Sequence, residues 1–300
     1  MPKNTAIGSG FAPGKLILTG EHAVVYGHGA IAMAIDRGTH ISVEHQPGPI
    51  VVHSPPGTPF HDGRLRKAMA PLTGTSGLRI TIRSEIPIGR GMGSSAALSV
   101  SLVRALADLA GRTATLDECR ERGMLVERGF HGNPSGVDHT VSAMGGAIHF
   151  RNAESTQPPI LTSISLPPLR WVVLDSGSSG DTAQMVQKVR SRVPHNESIL
   201  QSIGTITERI AQSLPLGDAK QLGSLLFRNH ELLQELGVST PVLDDLVDFA
   251  RQNGALGAKL AGAGGGGVVL ALVEAQQPLL HAAQDRGVEA FSVGVFPTKG

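Results

Sequence analysis

A glycine-rich turn between a strand pattern and a helix pattern constrains this chain more than any other feature. Residues 78–83 alternate apolar and polar side chains, the period of a half-buried strand, and leucines recur at helical spacing over residues 98–109. The intervening sequence IPIGRGMGSS contains Gly89, Gly91 and Gly93. Glycine reaches positive φ without steric cost, and a helix N-terminus carries unpaired N–H groups and partial positive charge. This order therefore predicts a cradle for phosphate.

The residues of this turn leave two interpretations open. The Gly-Lys-Ser/Thr ending of a P-loop and the G-x-G-x-x-G spacing are both absent. Ser94 and Ser95 offer hydroxyl groups to a phosphate or a metal ion. Alternatively, the turn is purely structural and Ser94 is the N-cap of the helix.

A second glycine cluster lies near the C-terminus, between two apparent strands. The sequence AGAGGGG spans residues 261–267 and places five glycines in the six positions 262–267. Glycine loses more conformational entropy on folding than other residues, so a plain hairpin is a poor explanation. The cluster predicts close approach to a ligand or to another backbone.

Composition excludes several classes of function. The 300 residues include 26 basic and 25 acidic side chains, a formal net charge of +1, which gives no electrostatic case for nucleic acid or an anionic membrane as a partner. No segment approaches the roughly 20 apolar residues of a membrane span, and the N-terminal residues do not resemble a signal peptide. Cys119 is the only cysteine, so no internal disulfide forms and a cytoplasmic location is expected.

Strand and helix patterns alternate along the chain and predict an α+β protein. Residues 47–77 are rich in proline, glycine and threonine, so turns and short strands are expected there. The proline-containing stretch 158–168 is the candidate boundary between domains at 1–165 and 166–300. Strands are predicted at 171–174, 258–261 and 268–273, and helices at 199–214, 219–236 and 241–252.

Five charged or titratable residues are candidates for chemistry, and each also has an ordinary structural explanation. Lys15 fits a lysine at a strand end, and Glu21 and His22 fit surface loop residues. Glu127 fits a solvated acid on a helix. Asp138 is the last residue of SGVD, the capping-box pattern that begins a helix.

The order of four motifs resembles the GHMP kinase family, the galacto-, homoserine, mevalonate and phosphomevalonate kinases. These motifs are PGKLILTGEHAVVYG, IPIGRGMGSSAA, ERGFHGNPSGVDH and KLAGAGGGG, and they extend from residue 13 to residue 267. Residues 37–77 and 184–254 carry little of the family signature. The resemblance implies a two-lobed α+β fold, with an N-terminal domain that holds the glycine turn and a C-terminal ferredoxin-like domain. Nucleotide and substrate would bind between the lobes.

The resemblance also implies ATP and Mg²⁺ as cofactors. Mg²⁺ would be held by Glu127 and by one serine of the Ser94–Ser95 pair, with Ser95 preferred. The ATP phosphates would contact the turn and the helix start, at Gly89, Gly91, Met92, Gly93, Ser94, Ser95 and Ala96.

For the acceptor, the resemblance implies mevalonate, whose terminal hydroxyl would lose its proton to Asp138. Lys15 would keep Asp138 ionised and stabilise charge on the phosphoryl group. The residues implied near the substrate are Lys15, Glu21, His22, Asp138, Thr182, Gly264 and Gly265. Because family members are often dimers, a homodimer is one further expectation.

One departure from the family pattern concerns the substrate carboxylate. Animal mevalonate-phosphorylating members carry an arginine two residues before the threonine, where this chain has Gly180. The carboxylate would then fall to Lys15, His22 or backbone amides. Three alternatives remain: a kinase for phosphomevalonate or another small alcohol, a related ATP-dependent decarboxylase, and a relative that only binds.

Overall fold

The computed structural model describes residues 6–54, 62–74, 76–131, 136–151 and 160–298, and it has an α+β fold with two sheets. The strands of the described residues are β1 (Ile7–Thr19), β2 (Gly29–Pro49), β3 (Val51–His53), β4 (Ser76–Ser84), β5 (Ala147–Arg151), β6 (Ile160–Ile164), β7 (Arg170–Asp175), β8 (Ala255–Ala261), β9 (Val268–Val273) and β10 (Ala290–Val293). The α-helices of the same residues are α1 (Asp62–Thr73), α2 (Ser94–Leu109), α3 (Leu116–His131), α4 (Val137–Met144), α5 (Thr182–Arg190), α6 (Val193–Ser213), α7 (Ala219–Glu235), α8 (Pro241–Gln252) and α9 (Gln276–Arg286).

The first sheet is built around the long strand β2. Its order is β3-β4-β2-β5-β6, and β1 pairs antiparallel with β2. The second sheet has the order β10-β7-β9-β8, and its three pairings are antiparallel. The mixture of helices and two separate sheets confirms the predicted α+β class.

The C-terminal segment returns to the first sheet. Ile35 of β2 forms a β-bridge with Val295. The N–H of Phe296 donates to the carbonyl of Ala34 at 2.9 Å, and the carbonyl of Phe296 accepts from the N–H of Gly146 at 2.8 Å. The last described residues of the chain therefore complete hydrogen bonds of the first lobe.

The expectation of turns and short strands over residues 47–77 is wrong for its central part. β3 is a short strand as expected, but α1 forms a three-turn helix even though Pro71 lies within it. Leu65 and Met69 of α1 are buried in a cluster with residues of β4. Burial of this apolar face stabilises the helix in spite of the local turn composition.

The other predicted elements agree well with the structure. The helix at 241–252 and the strand at 268–273 have the predicted bounds, and α6 begins six residues before the predicted start at residue 199. The division into domains 1–165 and 166–300 stays a prediction, and residues 152–159 lie outside the described residues. No helix in the described part of the chain has both the length and the apolar character needed to cross a membrane.

Candidate active site

An irregularity in β1 brings Lys15 against the glycine turn. The pairing of β1 with β2 shifts register between Pro13 and Lys15. The Lys15 N–H donates to the carbonyl of the buried Met92 at 2.9 Å. A Cβ on Gly14 would lie 2.7 Å from the Ile86 side chain, so glycine is what lets the turn pack this closely on the strand.

The GRGMG turn, residues 89–93, has the backbone that its glycines predict. Gly89, Gly91 and Gly93 have φ angles of 74°, 78° and 72°. Gly93 is the N-cap of α2, and it provides no side-chain acceptor. The alternative in which Ser94 caps this helix is therefore wrong, because Ser94 is the first helical residue. Gly93 thus offers no side-chain oxygen to the first N–H groups of α2, and N–H groups at such a helix start can bind an anion.

Lys15 and Asp138 form an ion pair beside this turn. The Lys15 Nζ lies 3.1 Å from Asp138 Oδ1, and it donates to the carbonyl of Gly91 at 3.3 Å. The lysine side chain is 3% exposed and the aspartate side chain 40% exposed. The N-cap of α4 is Gly136, so the predicted capping box is wrong in register, and Ser135 lies outside the described residues. Asp138 is thus held by a cation with part of its carboxylate open to solvent.

Glu127 on α3 is buried next to this pair, so the explanation as a solvated acid is wrong. Its side chain accepts a hydrogen bond from Ser99 Oγ at 3.2 Å and another from Ser95. Burial raises its pKa to about 7, and the negative charge of Asp138 acts in the same direction. The hydrogen bonds from the two serines and the charge of Lys15 oppose this rise only in part.

The surroundings of Glu127 fit a magnesium ion bound together with nucleotide. A buried carboxylate with a raised pKa lacks compensating positive charge, and Glu127 and Ser95 offer the oxygen donors that a hard cation prefers. No group of three or more His, Cys, Asp or Glu side chains among the described residues could hold a metal alone. Mg²⁺ usually binds through one or two carboxylates and the phosphates of its substrate, which agrees with so small a protein contribution.

A second lysine–carboxylate pair, which sequence reasoning missed, lies on the other side of the site. Lys259 of β8 is fully buried, and its Nζ donates to Glu21 Oε1 and, at 2.5 Å, to the carbonyl of Leu260. Burial lowers the pKa of Lys259, and the neighbouring carboxylate of Glu21 counteracts the shift. Glu21 Oε2 is also buried, and none of the residues that the structure describes gives it a hydrogen bond. The expectation of an exposed loop acid is wrong for Glu21.

His22 is also buried, and its hydrogen bond fixes its tautomer. The only acceptor at Nε2 is the carbonyl of Ala263, at 2.8 Å, so Nε2 must carry the proton and donate. Burial lowers the pKa of His22. The neutral ring then presents Nδ1 as a hydrogen-bond acceptor. His22 has a positive φ of 61°, and the carbonyl of Ala263 ties this strained residue to the second glycine cluster.

The GAGGGG loop, residues 262–267, approaches other backbones as predicted. Its five glycines all have positive φ, and a Cβ on Gly264 would lie 2.1 Å from the carbonyl oxygen of Val238. The Gly265 N–H donates to that same oxygen at 2.8 Å. On the other side, a Cβ on Gly91 would lie 2.9 Å from the carbonyl oxygen of Ala261. The two glycine clusters, distant in sequence, are therefore packed together.

Thr182 lies further from this cluster, exposed at the first position of α5. Asp181 caps the helix through a hydrogen bond from Gln184 N–H. The structure gives Thr182 no contact with Lys15 or Asp138, and its role at the substrate stays a prediction. A Cβ at Gly180 would lie 2.2 Å from the carbonyl oxygen of Gly264, so this backbone leaves no room for an arginine there.

A buried histidine supports the strand that carries Lys259. His230 Nδ1 accepts from the Leu260 N–H at 3.3 Å, so Nε2 carries the proton and donates to Asp244 Oδ1 at 3.1 Å. Ser239 Oγ donates to the same carboxylate oxygen at 2.5 Å. Burial lowers the pKa of His230 to about 4. No local motif marks this network, whose members come from two helices, a strand and the loop before α8.

Comparison with known proteins agrees with this geometry. Residues 63–146 match the family model for the GHMP kinase N-terminal domain, and residues 210–288 match the model for the GHMP kinase C-terminal domain. The chain belongs to the GHMP kinase family. The predicted family resemblance and the predicted two-lobed kinase fold are confirmed.

Within that family the chain is similar to mevalonate kinases. It is 37% identical to the mevalonate kinase of Thermococcus sibiricus, with 89% of each chain covered. The crystal structure of L. major mevalonate kinase in complex with R-mevalonate matches with a TM-score of 0.86 and 28% identity, over 99% of this chain and 97% of that one. The Methanococcus jannaschii mevalonate kinase matches with a TM-score of 0.82 and 28% identity, over 99% and 100%.

Proposed function

We propose that this protein transfers the γ-phosphoryl group of ATP to the terminal hydroxyl of mevalonate, giving phosphomevalonate and ADP. The observation that carries the proposal is the ion pair between buried Lys15 and half-exposed Asp138, placed directly beside the GRGMG turn. The similarity to mevalonate kinases over nine-tenths of the chain supports mevalonate as the acceptor.

Asp138 is the base in this proposal. The acceptor hydroxyl oxygen forms a bond to the γ-phosphorus while its proton passes to the Asp138 carboxylate, and the bond from the γ-phosphorus to the β–γ bridging oxygen breaks. The Lys15 ammonium lies 3.1 Å from the Asp138 carboxylate and holds it in place beside the GRGMG turn. Because the Asp138 side chain is partly exposed, one of its carboxylate oxygens is accessible to the acceptor hydroxyl.

The phosphates are held by backbone in this proposal. Phosphoryl transfer depends mainly on positioning and on stabilisation of charge. The GRGMG turn has positive φ angles, and the start of α2 after it has no side-chain cap. In this proposal the backbone N–H groups of both segments bind the phosphates. Lys15 lies between this turn and Asp138, so it stabilises charge on the transferring group as well.

Mg²⁺ would be held by Glu127 and Ser95. When bound, it would neutralise charge on the nucleotide phosphates. Ser95 is preferred over Ser94 because Ser95 hydrogen bonds to Glu127. The same cation would supply the positive charge that buried Glu127 lacks.

The contacts of His22 exclude it as a hydrogen-bond donor to the substrate carboxylate. With Nε2–H bonded to Ala263 and the ring neutral, His22 offers only an acceptor, which suits a hydroxyl and not a carboxylate. Lys259 is already paired with Glu21. Lys15 and the amides of the GAGGGG loop are the remaining candidates for the carboxylate, with Gly264 and Gly265 placed in that loop.

The test is a coupled assay of ADP release with Mg²⁺-ATP and, in separate reactions, mevalonate, phosphomevalonate, homoserine and galactose. We expect turnover with mevalonate and no release of CO₂. The Asp138→Asn variant, purified in parallel, controls for contaminating kinases. A clear preference for another alcohol, or CO₂ in proportion to ADP, would overturn the assignment. The cytoplasmic location, the homodimer and the absence of nucleic-acid or membrane partners stay predictions.

A further inference from the structure

The GAGGGG loop separates two other loops that belong to different lobes. On one side is the GRGMG turn, whose Arg90 carbonyl oxygen would lie 2.9 Å from a Cβ on Gly267. On the other side is the SGSSG loop, residues 176–180, which follows β7 and leads to Thr182. The Ser176 N–H donates to the Gly267 carbonyl at 3.0 Å, and the Gly267 N–H donates to the Ser178 carbonyl at 2.8 Å.

One ion pair spans this stack of three loops. Arg90 Nε lies 3.3 Å from Asp175 Oδ2. Arg90 is the only charged residue of the GRGMG turn, and Asp175 is the last residue of β7, directly before the SGSSG loop. The aspartate is 4% exposed, so solvent screens this pair much less than a surface pair.

The other oxygen of Asp175 shapes the SGSSG loop itself. Asp175 Oδ1 accepts from the Gly177 N–H at 2.8 Å, which fixes the first turn of the loop. One carboxylate thus holds the cation of the proposed nucleotide turn and the backbone of the loop that leads to the proposed substrate residue Thr182. At Gly89 the turn also comes near the loop, since a Cβ built on Gly89 would lie 3.6 Å from Ser179 Cβ.

We propose that Arg90 is a positioning residue that couples occupancy of the GRGMG turn to the conformation of the SGSSG loop through Asp175. This proposal rests on the proposed function for the identity of the two ligands. When phosphates bind the turn, the position of Arg90 is fixed, and the fixed guanidinium holds Asp175 and the loop behind it. The acceptor site is therefore best ordered when nucleotide is already present.

The experiment follows the SGSSG loop and does not depend on which alcohol is the substrate. Hydrogen–deuterium exchange is measured for peptides covering residues 176–182, with and without saturating Mg²⁺ and the non-hydrolysable nucleotide AMPPNP. The variants are Arg90→Gln, Arg90→Lys and Asp175→Asn. Asparagine retains an oxygen for the Gly177 N–H but loses the charge. Arg79→Gln is the matched control, since Arg79 makes a similar single contact with Glu44, at 3.2 Å, on exposed strands of the first sheet.

We expect nucleotide to slow exchange of residues 176–182 by about fivefold or more in the unchanged protein, the low end of typical coupling between sites. The same slowing is expected in Arg79→Gln and, in large part, in Arg90→Lys. The slowing should be lost in Arg90→Gln and Asp175→Asn. Two controls accompany this result: calorimetry to establish that both variants are saturated with AMPPNP, and melting curves to establish that both unfold as cooperatively as the unchanged protein.

Two results would overturn the proposal. One is equal slowing in all five proteins, or none in the unchanged protein. The other is a large rise in nucleotide Kd for Arg90→Gln with normal slowing at saturation, which would make Arg90 a direct phosphate ligand. If mevalonate is not phosphorylated by the unchanged protein, the proposed function fails, but the exchange measurement still decides the role of Arg90.

Discussion

Two lysine–carboxylate pairs lie close enough for their lysines to interact electrostatically, and they differ chiefly in exposure. Lys15 meets an aspartate that is 40% exposed, whereas Lys259 and Glu21 are both almost completely buried. A carboxylate that is partly open can exchange a proton with a substrate. A carboxylate sealed against a buried ammonium cannot, but it can fix the shape of the site. Under the proposed function, this difference in exposure predicts a chemical role for the first pair and a structural role for the second.

Asp138→Asn is the sharpest test of the open pair and has the largest expected effect. The amide cannot accept the hydroxyl proton, and general-base catalysis typically contributes about 10²–10⁴-fold, so we expect kcat to fall by at least that order. The variant also leaves buried Lys15 without its charged partner, so some loss of stability is expected and the melting temperature is needed to separate it from the loss of kcat. Measurement of kcat, nucleotide Kd and melting temperature on one preparation would decide. A stable variant within about threefold of the unchanged protein would remove Asp138 from the role of base.

Lys259→Met should have the opposite profile, with its main effect on stability. Removal of one partner leaves Glu21 as a buried unpaired charge, which typically costs about 3–5 kcal/mol. Chemical denaturation measures this cost. The double variant Glu21→Leu with Lys259→Met removes both charges and should recover most of the stability. If the single variant is as stable as the unchanged protein, the buried pair is not the structural element described here.

Glu127→Gln tests a third carboxylate, which is buried next to the Lys15–Asp138 pair and has a raised pKa. A carboxyl whose pKa is raised on folding holds its proton more tightly when folded, so its stabilising contribution is lost as pH rises from about 4.5 to 7. Without nucleotide, the unchanged protein should lose stability relative to Glu127→Gln across this range. The variant should also need more Mg²⁺ and have a lower kcat.

The same raised pKa predicts proton release on binding of Mg²⁺-nucleotide. At pH 7 a group with a pKa near 7 is half protonated, so about half a proton should leave Glu127 when Mg²⁺ binds. Calorimetry in buffers of different ionisation enthalpy counts this proton, and Glu127→Gln is the control. Equal proton release from both proteins would contradict Glu127 as a metal ligand.

His230→Gln should have the smallest effect, confined to acid. A histidine whose pKa is lowered on folding stabilises the protein above its unfolded pKa near 6.5, and this stability is lost as pH falls toward 4. Asp244, Asp248 and Lys259 are the charges that act on it. At pH 5.5 the loss should be about 1 kcal/mol, and the glutamine variant should lack this pH dependence. If the free energy of unfolding changes equally with pH in both proteins between pH 7 and 5, this role of His230 is refuted.

The glycine turn was predictable because local sequence determines it, whereas the pairing of Lys15 with Asp138 was expected only from the family resemblance. Only glycine adopts positive φ at low cost, so Gly89, Gly91 and Gly93 marked an unusual turn before its structure was known. The two cap predictions were wrong for the same local reason, because Gly93 and Gly136 occupy the cap positions that the neighbouring serines were expected to fill. A glycine cap and a serine cap at the adjacent position have nearly the same sequence signal.

The sealed pair was not predictable, because its partners meet only in the folded protein. Lys259 stands among alanine and leucine in a strand, where a lysine is expected to reach solvent with its head group. Its burial follows from the packing of β8 against residues 238 positions earlier, including Glu21. An unbroken apolar stretch around a single lysine, close to a glycine cluster, was the one available signal.

The return of the C-terminal segment to the first sheet has a consequence for synthesis of the chain. Val295 and Phe296 complete hydrogen bonds with Ile35, Ala34 and Gly146, yet Val295 is synthesised about 260 residues after Ile35. At about 5–20 residues per second, the edge formed by Ile35 must wait at least ten seconds or so for its partner. During that interval the nascent first lobe carries an unfinished strand edge. The pairing of Ile35 with Val295 is therefore completed only after the four strands of the second sheet have been synthesised.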